Sequence, residues 1–321
     1  MSELIRPVLI RDFRKTDLCD VLDVARLSFS KEFESTGFDA DHIRKMVDQM
    51  FGIPGRILLG LFEMFGREPF KLLVAEVDKK VVGTTMITKQ GKMAYISTVM
   101  VHPSFRRQGI ARKLVESSLE YAQRKKIERA VLHVIPQNLP AKGLYMKLGF
   151  KDFERIAHLI ANIDSVLSPE KIEGIEIDSF GKSHVNAVYD LVRSSEDPKH
   201  LDIFDFKKSD LKAAFLEKIF QFSTRTRMVA MRNRRVIGYA EATCTTPEEA
   251  GRIANVHISP AMKGKGVEEM LINAGTNEIK RMGTAKVVGM ASMRKPELIA
   301  AMKKLRFEKR LELDAMVLEF K

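Results

Sequence analysis

The stretch Val99–Leu114 reads VMVHPSFRRQGIARKL and carries the strongest structural signal in the chain. Apolar, β-branched residues give way at Pro103 to a basic loop with a glycine, and a segment of helical periodicity follows. A loop that enters a helix in this way presents unpaired backbone N–H groups and the positive end of the helix dipole. Gly109 lets the backbone approach a ligand closely, and Arg106 and Arg107 add positive charge. The stretch therefore predicts a phosphate-binding loop between a strand and a helix, with an ordinary tight turn as the alternative.

The segments on both sides of this loop predict alternating strands and helices. Alternation of β-branched residues indicates strands, and apolar residues at helical spacing indicate helices. The predicted elements are a strand at Pro7–Phe13, a helix at Leu18–Phe33, a hairpin of Leu72–Val77 and Val81–Thr88, a strand at Tyr95–Val101, a helix at Gly109–Lys125, a strand at Ala130–Ile135, a helix at Pro140–Leu148 and an extended segment at Phe150–Ile163. The apolar, glycine-bearing stretch Met50–Phe70 fits a helix pair packed on the core or a lid over a substrate groove. This order predicts a mixed α/β layer structure.

The second half of the chain repeats the first. Residues of the first half recur 157 positions later, for example Gly109 as Gly266. Other pairs at this offset are Ile96 and Ile253, Val99 and Val256, Pro103 and Pro260, Leu114 and Leu271, Lys147 and Lys304, Leu148 and Leu305, and Phe150 and Phe307. A chain of 321 residues is also longer than one hydrophobic core usually organises. We expect one domain at 1–164, a linker at 165–174 and a second domain at 175–321.

A second motif follows the loop in the stretch Asn138–Phe150, NLPAKGLYMKLGF. Together with the loop, it resembles the GNAT acetyltransferase superfamily, over a span from Pro7 to about Ile163. The acetyl-CoA motif of that superfamily, Q/RxxGxG/A, is met by Arg106, Gly109 and Ala111, and its second motif, NxxAxxLYxxxGF, is met throughout Asn138–Phe150. The resemblance implies an α/β fold of two tandem GNAT domains, each with a mixed, largely antiparallel central sheet flanked by helices. The first of the two domains would be the catalytic one.

The resemblance also implies roles for residues of both motifs. The backbone amides from Arg107 to Ala111 would bind the pyrophosphate of acetyl-CoA, the cosubstrate. The backbone of Val99 and Val101 would pair with the pantetheine arm in the manner of an added strand. Tyr145 would protonate the departing thiolate, a role that suits a phenol with a pKa of about 10, and a core tyrosine is the alternative. The coenzyme-binding set implied is Val99, Val101, Arg106, Arg107, Gln108, Gly109, Ile110, Ala111 and Asn138.

Activation of the acceptor amine involves a different pair of residues. Many GNAT enzymes place a glutamate on the fourth strand as the base, but Tyr95 stands there in this chain. His133 lies on the strand that leads to the second motif. Tyr95 and His133, together with Tyr145, resemble the catalytic subunit of the NatE N-terminal acetyltransferase, in which a tyrosine and a histidine activate the amine through water. The N-terminal repeat as a whole is similar to NatE-type and RimI-type N-terminal acetyltransferases. A core histidine between Leu132 and Val134 is the alternative.

The amine class follows from the energy needed to deprotonate it. An α-amino group, with a pKa of about 7.7–8.0, is partly neutral at pH 7, whereas a lysine must give up about 4 kcal/mol to become neutral. A relay without a carboxylate therefore favours α-amines. An acid supplied by Glu32, Glu34 or Glu76 would weaken this argument.

The second half has lost the chemical positions of both motifs. Glu268 stands where a small residue is needed, and a carboxylate there would repel a pyrophosphate. The other replacements are Lys295 for Asn138, Leu298 for Ala141, Met302 for Tyr145 and Arg306 for Gly149. We expect a degenerate GNAT-like domain without catalysis that serves as a structural or substrate-recognition partner. Weak coenzyme binding through Lys263, Lys265 and Gly266 remains open.

The composition excludes several classes of protein. Apolar residues make up 45% and charged residues 30%, and no stretch approaches the roughly 18 uncharged apolar residues of a membrane span, so we expect a cytoplasmic protein. Cys19 and Cys244 show no ligand spacing, so we expect neither a disulfide nor a metal site. The net charge of +12 favours polyanionic partners in general. A predicted hairpin holds Arg225, Arg227, Arg232, Arg234 and Arg235, which we interpret as a solvated edge rather than a nucleic-acid patch, because aromatic residues are not interleaved.

The sequence thus predicts an acetyl-CoA-dependent N-acetyltransferase that modifies the α-amine of a peptide or protein by direct attack in a ternary complex. An acetyltransferase for small-molecule amines is one alternative. A coenzyme-binding module without turnover is a second, and nucleic-acid binding by the arginine-rich hairpin is a third. The sequence indicates neither the acceptor nor the oligomeric state.

Overall fold

The computed structural model describes residues 7–28, 70–211, 224–244 and 250–320. It divides into two compact units, of which the first runs to Phe153 and takes in the segment from Ala315, and the second is Glu154–Asp314. This division differs from the boundaries expected at 1–164 and 175–321. Residues 156–162 pair with a strand of the second unit, and Met316 lies in the core of the first. Long-range strand pairing of this kind leaves no local trace in the sequence.

The first unit follows the predicted order of strands and helices. Its elements are β1 (Leu9–Asp12), α1 (Leu18–Ser28), β2 (Phe70–Val77), β3 (Lys80–Gln90), β4 (Met93–Val101), α2 (Ile110–Arg124), β5 (Arg129–Val134) and α3 (Leu139–Lys147). Strands β1 to β4 pair antiparallel in sequence order, and β5 pairs parallel to β4. The mixed, largely antiparallel sheet that we predicted is therefore confirmed. Most of the Met50–Phe70 stretch, together with Glu32 and Glu34, lies outside the described residues.

Helices cover both faces of the first unit's sheet. Ala94 and Ile96 of β4 point to one face, where they pack with Leu114 and Val115 of α2. Met100 points to the other face and packs with α1. Successive strand residues alternate between faces, so Tyr95 lies on the α1 face.

A bulge in β4 breaks this regular pattern. Thr84 and Met86 of β3 pair with Met100 and Ser97 of β4, so one strand has an extra residue. Thr98 at the bulge has a φ of 50°. Strand β4 pairs with β5 only from Met93 to Ile96, so the two strands are no longer paired as they approach the loop.

The second unit repeats this architecture. Its elements are β6 (Lys151–Asn162), which starts in the first unit, β7 (Ile175–Ser179), α4 (Val185–Ser195), α5 (Pro198–Ile203), α6 (Lys208–Leu211), β8 (Thr224–Arg232), β9 (Arg235–Cys244), β10 (Gly251–Ile258), α7 (Val267–Arg281), β11 (Lys286–Ser292), α8 (Pro296–Lys304) and β12 (Glu308–Glu319), which ends in the first unit. The sheet order is β6-β11-β10-β9-β8-β7, and β10 and β11 run parallel. Left-handed backbone recurs at the offset of 157, as Asn255 after Thr98, Gly266 after Gly109 and Arg306 after Gly149. The repeat seen in the sequence is thus also a repeat of backbone conformation.

The arginine-rich hairpin is β8–β9, and its side chains are not all solvated. Arg232, Arg234 and Arg235 are exposed as predicted. The prediction is wrong for Arg227, whose side chain is only 8% exposed. It donates from Nε to the Glu241 carboxylate and from its two other nitrogens to backbone carbonyls. A buried carboxylate opposite Arg227 compensates its charge, and the two residues are 14 positions apart, too far for local patterns to show.

Two further properties concern the described part of the chain. None of its helices is both long and apolar enough to cross a membrane. No group of three or more His, Cys, Asp or Glu side chains in that part is arranged to hold a metal ion.

Candidate active site

The predicted phosphate loop is an uncapped helix start. Gly109 precedes α2 with a φ of 77°, and the helix makes no side-chain capping hydrogen bond at this end. A Cβ built on Gly109 would meet no atom of the described residues within 4 Å, so those residues leave the approach to the loop open. Arg106, Arg107 and Gln108 are exposed around it. Exposed amides, a helix dipole and arginines fit the diphosphate of acetyl-CoA.

Two residues of the predicted coenzyme set have their side chains elsewhere. Ile110 is 1% exposed and packs into the core, so only its backbone can face a ligand. Asn138 caps α3, where its Oδ1 accepts the N–H of Ala141 at 3.3 Å. Asn138 therefore holds the helix that carries Tyr145. Ala111 is half-buried in the first turn of α2.

The backbone of β4 faces the gap that opens beside β5. The N–H of His102 donates to Val82 on β3 at 2.8 Å, so the backbone groups of Val101, one residue earlier, point away from β3. The Val101 carbonyl accepts the Nε–H of Arg106 at 3.2 Å and the Ser28 hydroxyl at 3.3 Å. Val99 lies next to the bulge, with its side chain against the α3 side. Because the Val101 carbonyl already accepts the bonds from Arg106 and Ser28, a ligand strand that added along β4 in this gap would pair with the Val101 N–H.

The structure brings Tyr95 and His133 together. The Tyr95 Oη and His133 Nδ1 atoms form a hydrogen bond of 3.0 Å, and the rings meet edge to face with centroids 5.3 Å apart. Both side chains are half-buried. Leu132 and Val134 point to the α2 and α3 side, so His133 shares the α1 face with Tyr95. The predicted pair therefore lies on one face of the sheet, beside the gap.

Tyr145 approaches from the opposite face. It projects from α3 into an apolar cluster with Ile96, Leu132, Val134 and Met316, and is 6% exposed. Burial raises the pKa of Tyr145 to about 12, above the value of about 10 assumed from the sequence. The phenol therefore stays protonated throughout the neutral range and is a hydrogen-bond donor there.

Ser97 is a polar group that sequence reasoning missed. It follows Tyr95 by two residues on β4, so the two side chains share a face. Its Oγ is buried and has no hydrogen-bond partner among the described residues. A buried hydroxyl without a protein partner is suited to bind water or a substrate group. The two-residue spacing from Tyr95 along the predicted strand is the sequence signal that could have pointed to Ser97.

Glu76, one of the acids considered as alternative bases, is engaged away from this pair. Glu76 lies on β2 and forms an ion pair with Arg11 at 2.6 Å. Its register partner is Leu9 of the edge strand β1. Glu32 and Glu34 lie outside the described residues. Among the residues that the structure describes, Tyr95 and His133 are the titratable pair at this place.

Comparison with known proteins finds acetyltransferases similar to the first half of the chain. Residues 32–150 match the model of the acetyltransferase (GNAT) family. This stretch is thus similar to the GNAT acetyltransferases, a family whose acetyl donor is acetyl-CoA. The chain is 25% identical over 166 residues, 48% of this chain and 86% of the relative, to an N-alpha-acetyltransferase of Sulfurisphaera tokodaii. It is also 28% identical over 113 residues, 35% of this chain and 75% of the relative, to a Bacillus subtilis protein assigned as an alanine N-acetyltransferase of ribosomal protein bS18.

The fold of the whole chain matches a protein with two GNAT units. A tandem GNAT protein from the clavulanic acid biosynthesis pathway superposes with a TM-score of 0.67 at 15% identity, over 98% of each chain. This likeness shows the fold alone. The predicted tandem GNAT fold is confirmed.

Proposed function

We propose that the first unit transfers the acetyl group of acetyl-CoA to the α-amino group of a peptide or protein. The observation that carries the proposal is the hydrogen bond between Tyr95 and His133 beside the gap, with Tyr145 on the opposite face of the sheet. The two curated relatives support the acceptor class, because both are described as enzymes that acetylate α-amines or an alanine of a protein.

The loop before α2 would position the donor. Acetyl-CoA would supply the activated acetyl group, and CoA would be released as the free thiol. Amides of Arg107 to Ala111 would hold its diphosphate at the helix N-terminus, and Arg106 would add charge. The backbone of β4 at Val99 and Val101 would align the pantetheine arm, which places the thioester in the gap between β4 and β5.

Tyr95, His133 and Ser97 would prepare the amine. An α-amine with a pKa of about 7.7–8.0 is partly neutral near pH 7, so it needs a proton acceptor only as the new C–N bond forms. Tyr95 and His133 share one hydrogen bond and could pass that proton to solvent through a water. The Ser97 Oγ, which has no hydrogen-bond partner among the residues that the structure describes, would hold this water or the amine itself on the same face.

Tyr145 would act on the departing sulfur. As the C–S bond breaks, negative charge develops on the sulfur and a donor stabilises it. With a pKa of about 12, Tyr145 is a weaker acid than a thiol of pKa about 8.5, so its main contribution is a hydrogen bond to the developing thiolate. The amine loses one proton as the amide forms, and the thiolate of CoA gains one proton to become the free thiol, so no net proton is produced.

The test is thiol titration of released CoA with a panel of acceptors. Peptides with a free α-amine, peptides whose only amine is a lysine, and small-molecule amines are compared at equal concentration. We expect the α-amine peptides to react fastest. Faster release with small amines than with every peptide would favour the small-molecule alternative, and no release with any amine would favour a binding module.

Tyr121→Phe is the matched control for Tyr145→Phe and Tyr95→Phe. Tyr121 is buried in α2, in the apolar cluster that also holds Leu73 and Ile127, away from the gap. It loses the same hydroxyl group as the other two variants. The proposal requires Tyr121→Phe to keep the wild-type rate while both other variants are slowed.

A further inference from the structure

The second unit holds a carboxylate in its counterpart of the phosphate loop. Glu268 stands 157 positions after Ala111, in the first turn of α7. Its Oε1 accepts the backbone N–H of Gly264 at 2.8 Å. Gly264 has a φ of 70°, like Arg107 in the first unit with 67°, so the two loops share their backbone form. The N–H of Gly264 corresponds to that of Arg107, which is available to a phosphate in the first unit. In the second unit this N–H is bonded to Glu268.

This carboxylate is buried inside the unit. Glu268 is 2% exposed, and its Oε2 has no hydrogen-bond partner among the described residues. Burial raises the pKa of Glu268 above its ordinary value. Against this cost of burial, the positive end of α7 and the amide of Gly264 are the groups around Glu268 that favour an anion.

The remaining cleft is lined by the counterparts of the first unit's coenzyme residues. Its walls include Val256, Lys263, Glu268 and Lys295, which correspond to Val99, Arg106, Ala111 and Asn138. The free volume is ≈ 20 Å³, enough for about one water molecule.

A second group covers the same loop. A Cβ on Gly266 would come within 3.0 Å of the Ile172 Cδ1, whereas the same atom on Gly109 would meet nothing within 4 Å. Ile172 belongs to the segment expected to be a linker, and it packs on the core of the second unit. The second loop is thus occupied from within by Glu268 and covered by Ile172.

We infer that the second unit retains a binding site for the diphosphate of a nucleotide, and that the Glu268 carboxylate fills this site in place of the ligand. Only the first unit then binds acetyl-CoA, and the chain takes one coenzyme. Replacing Glu268 by alanine, the residue at the equivalent place in the first unit, opens the second site. This inference does not depend on the identity of the acceptor amine.

Calorimetric titration of the full chain with CoA tests the inference. We expect one CoA bound per chain in the wild type and two in Glu268→Ala. Without the Glu268 charge, which repels the diphosphate, the second site should bind CoA at least about 100-fold more tightly than the weakest binding that would be detected in the wild type. The matched control is Glu269→Ala, which removes the same charge one residue later. Glu269 is also buried, but it pairs with Lys304 at 3.1 Å and does not line the cleft, so its stoichiometry stays at one.

Two further variants separate the outcomes. Gly109→Ala combined with Glu268→Ala should weaken the first site and leave the second, which assigns the new site to the second unit. Glu268→Gln keeps an oxygen for the Gly264 N–H, so it serves if the alanine variant does not fold, and it should still bind CoA at the second site more tightly than the wild type. A stoichiometry of two in the wild type overturns the inference. The inference is also overturned if Glu268→Ala binds only one CoA per chain and the double variant with Ile172→Ala does so too.

Discussion

Gly109→Ala and Gly266→Ala each add a methyl group at the start of a helix, at equivalent places in the two units. Only Gly109 lies where we expect a ligand to bind. Each glycine precedes a helix of 15 residues, Ile110–Arg124 or Val267–Arg281. Their φ values are 77° and 89°, in the left-handed region. The pair therefore separates the conformational cost of a side chain from its effect on coenzyme binding.

The conformational cost follows from the backbone. An L-residue in the left-handed region costs about 1–2 kcal/mol. For domains of this size, that corresponds to a Tm lower by about 2–8 °C. At Gly266 the new methyl group would also come within 3.0 Å of Ile172, so Gly266→Ala should be the less stable variant. At Gly109 the methyl group meets no atom of the part of the chain that the structure describes, and it would stand instead in the path of the diphosphate.

The assay combines thermal unfolding with steady-state kinetics. We expect both variants to lower Tm, but only Gly109→Ala to raise the KM for acetyl-CoA, by at least about tenfold, which is about 1.4 kcal/mol of lost binding. An unchanged KM in Gly109→Ala would refute the assignment of this loop to the diphosphate. An equal rise in Gly266→Ala would show that the second loop takes part in coenzyme binding after all.

Three other predictions concern single side chains. Tyr145→Phe should lower kcat by at least about 100-fold with little change in the KM for acetyl-CoA, and since the pKa of Tyr145 is about 12, the wild-type kcat should show no loss from its ionisation up to about pH 11. Tyr95→Phe removes the hydrogen bond to His133 Nδ1 and should alter the acid limb of the pH–rate profile, while Tyr121→Phe leaves that limb unchanged. Glu268→Gln should stabilise the protein at pH 7. The pKa of Glu268 is higher in the folded than in the unfolded state, so its contribution to stability is fully present below the unfolded-state pKa and is lost as the pH rises through the folded-state pKa, whereas a glutamine does not ionise. Urea unfolding at pH 4 and pH 7 checks this last point, and an advantage of the Gln variant that does not shrink at pH 4 would contradict it.

Local patterns in the sequence predicted much of the fold. Helix α2 and strand β5 begin and end within one or two residues of their predicted bounds, because caps, periodicity and turn residues act over short distances. The left-handed residues Gly109 and Gly266 were also visible, since glycine marks such positions.

The parts that could not be predicted depend on contacts distant in sequence. The burial of Arg227 depends on Glu241 across a strand pair, so its arginine-rich neighbourhood was misleading. The hydroxyl of Ser97 becomes informative only when its burial is known. The raised pKa of Tyr145 comes from the apolar cluster around it, which a motif does not show.

The site itself was partly visible. Tyr95 and His133 are 38 residues apart, yet a family resemblance suggested them as a pair, and the structure joins them at 3.0 Å. For Asn138 the resemblance suggested coenzyme binding, and the structure adds that it caps α3. The motif thus also maintains the helix that presents Tyr145.

The segment from Ala315 has a consequence for how this enzyme matures. Met316, which is fully buried, lies in the same apolar cluster as Tyr145, and the N–H of Phe320 bonds to the Glu128 carbonyl at 2.9 Å. During synthesis the ribosome makes all of Glu154–Asp314 before it reaches these residues. The core around Tyr145 therefore stays incomplete in the nascent chain until the whole second unit has been translated.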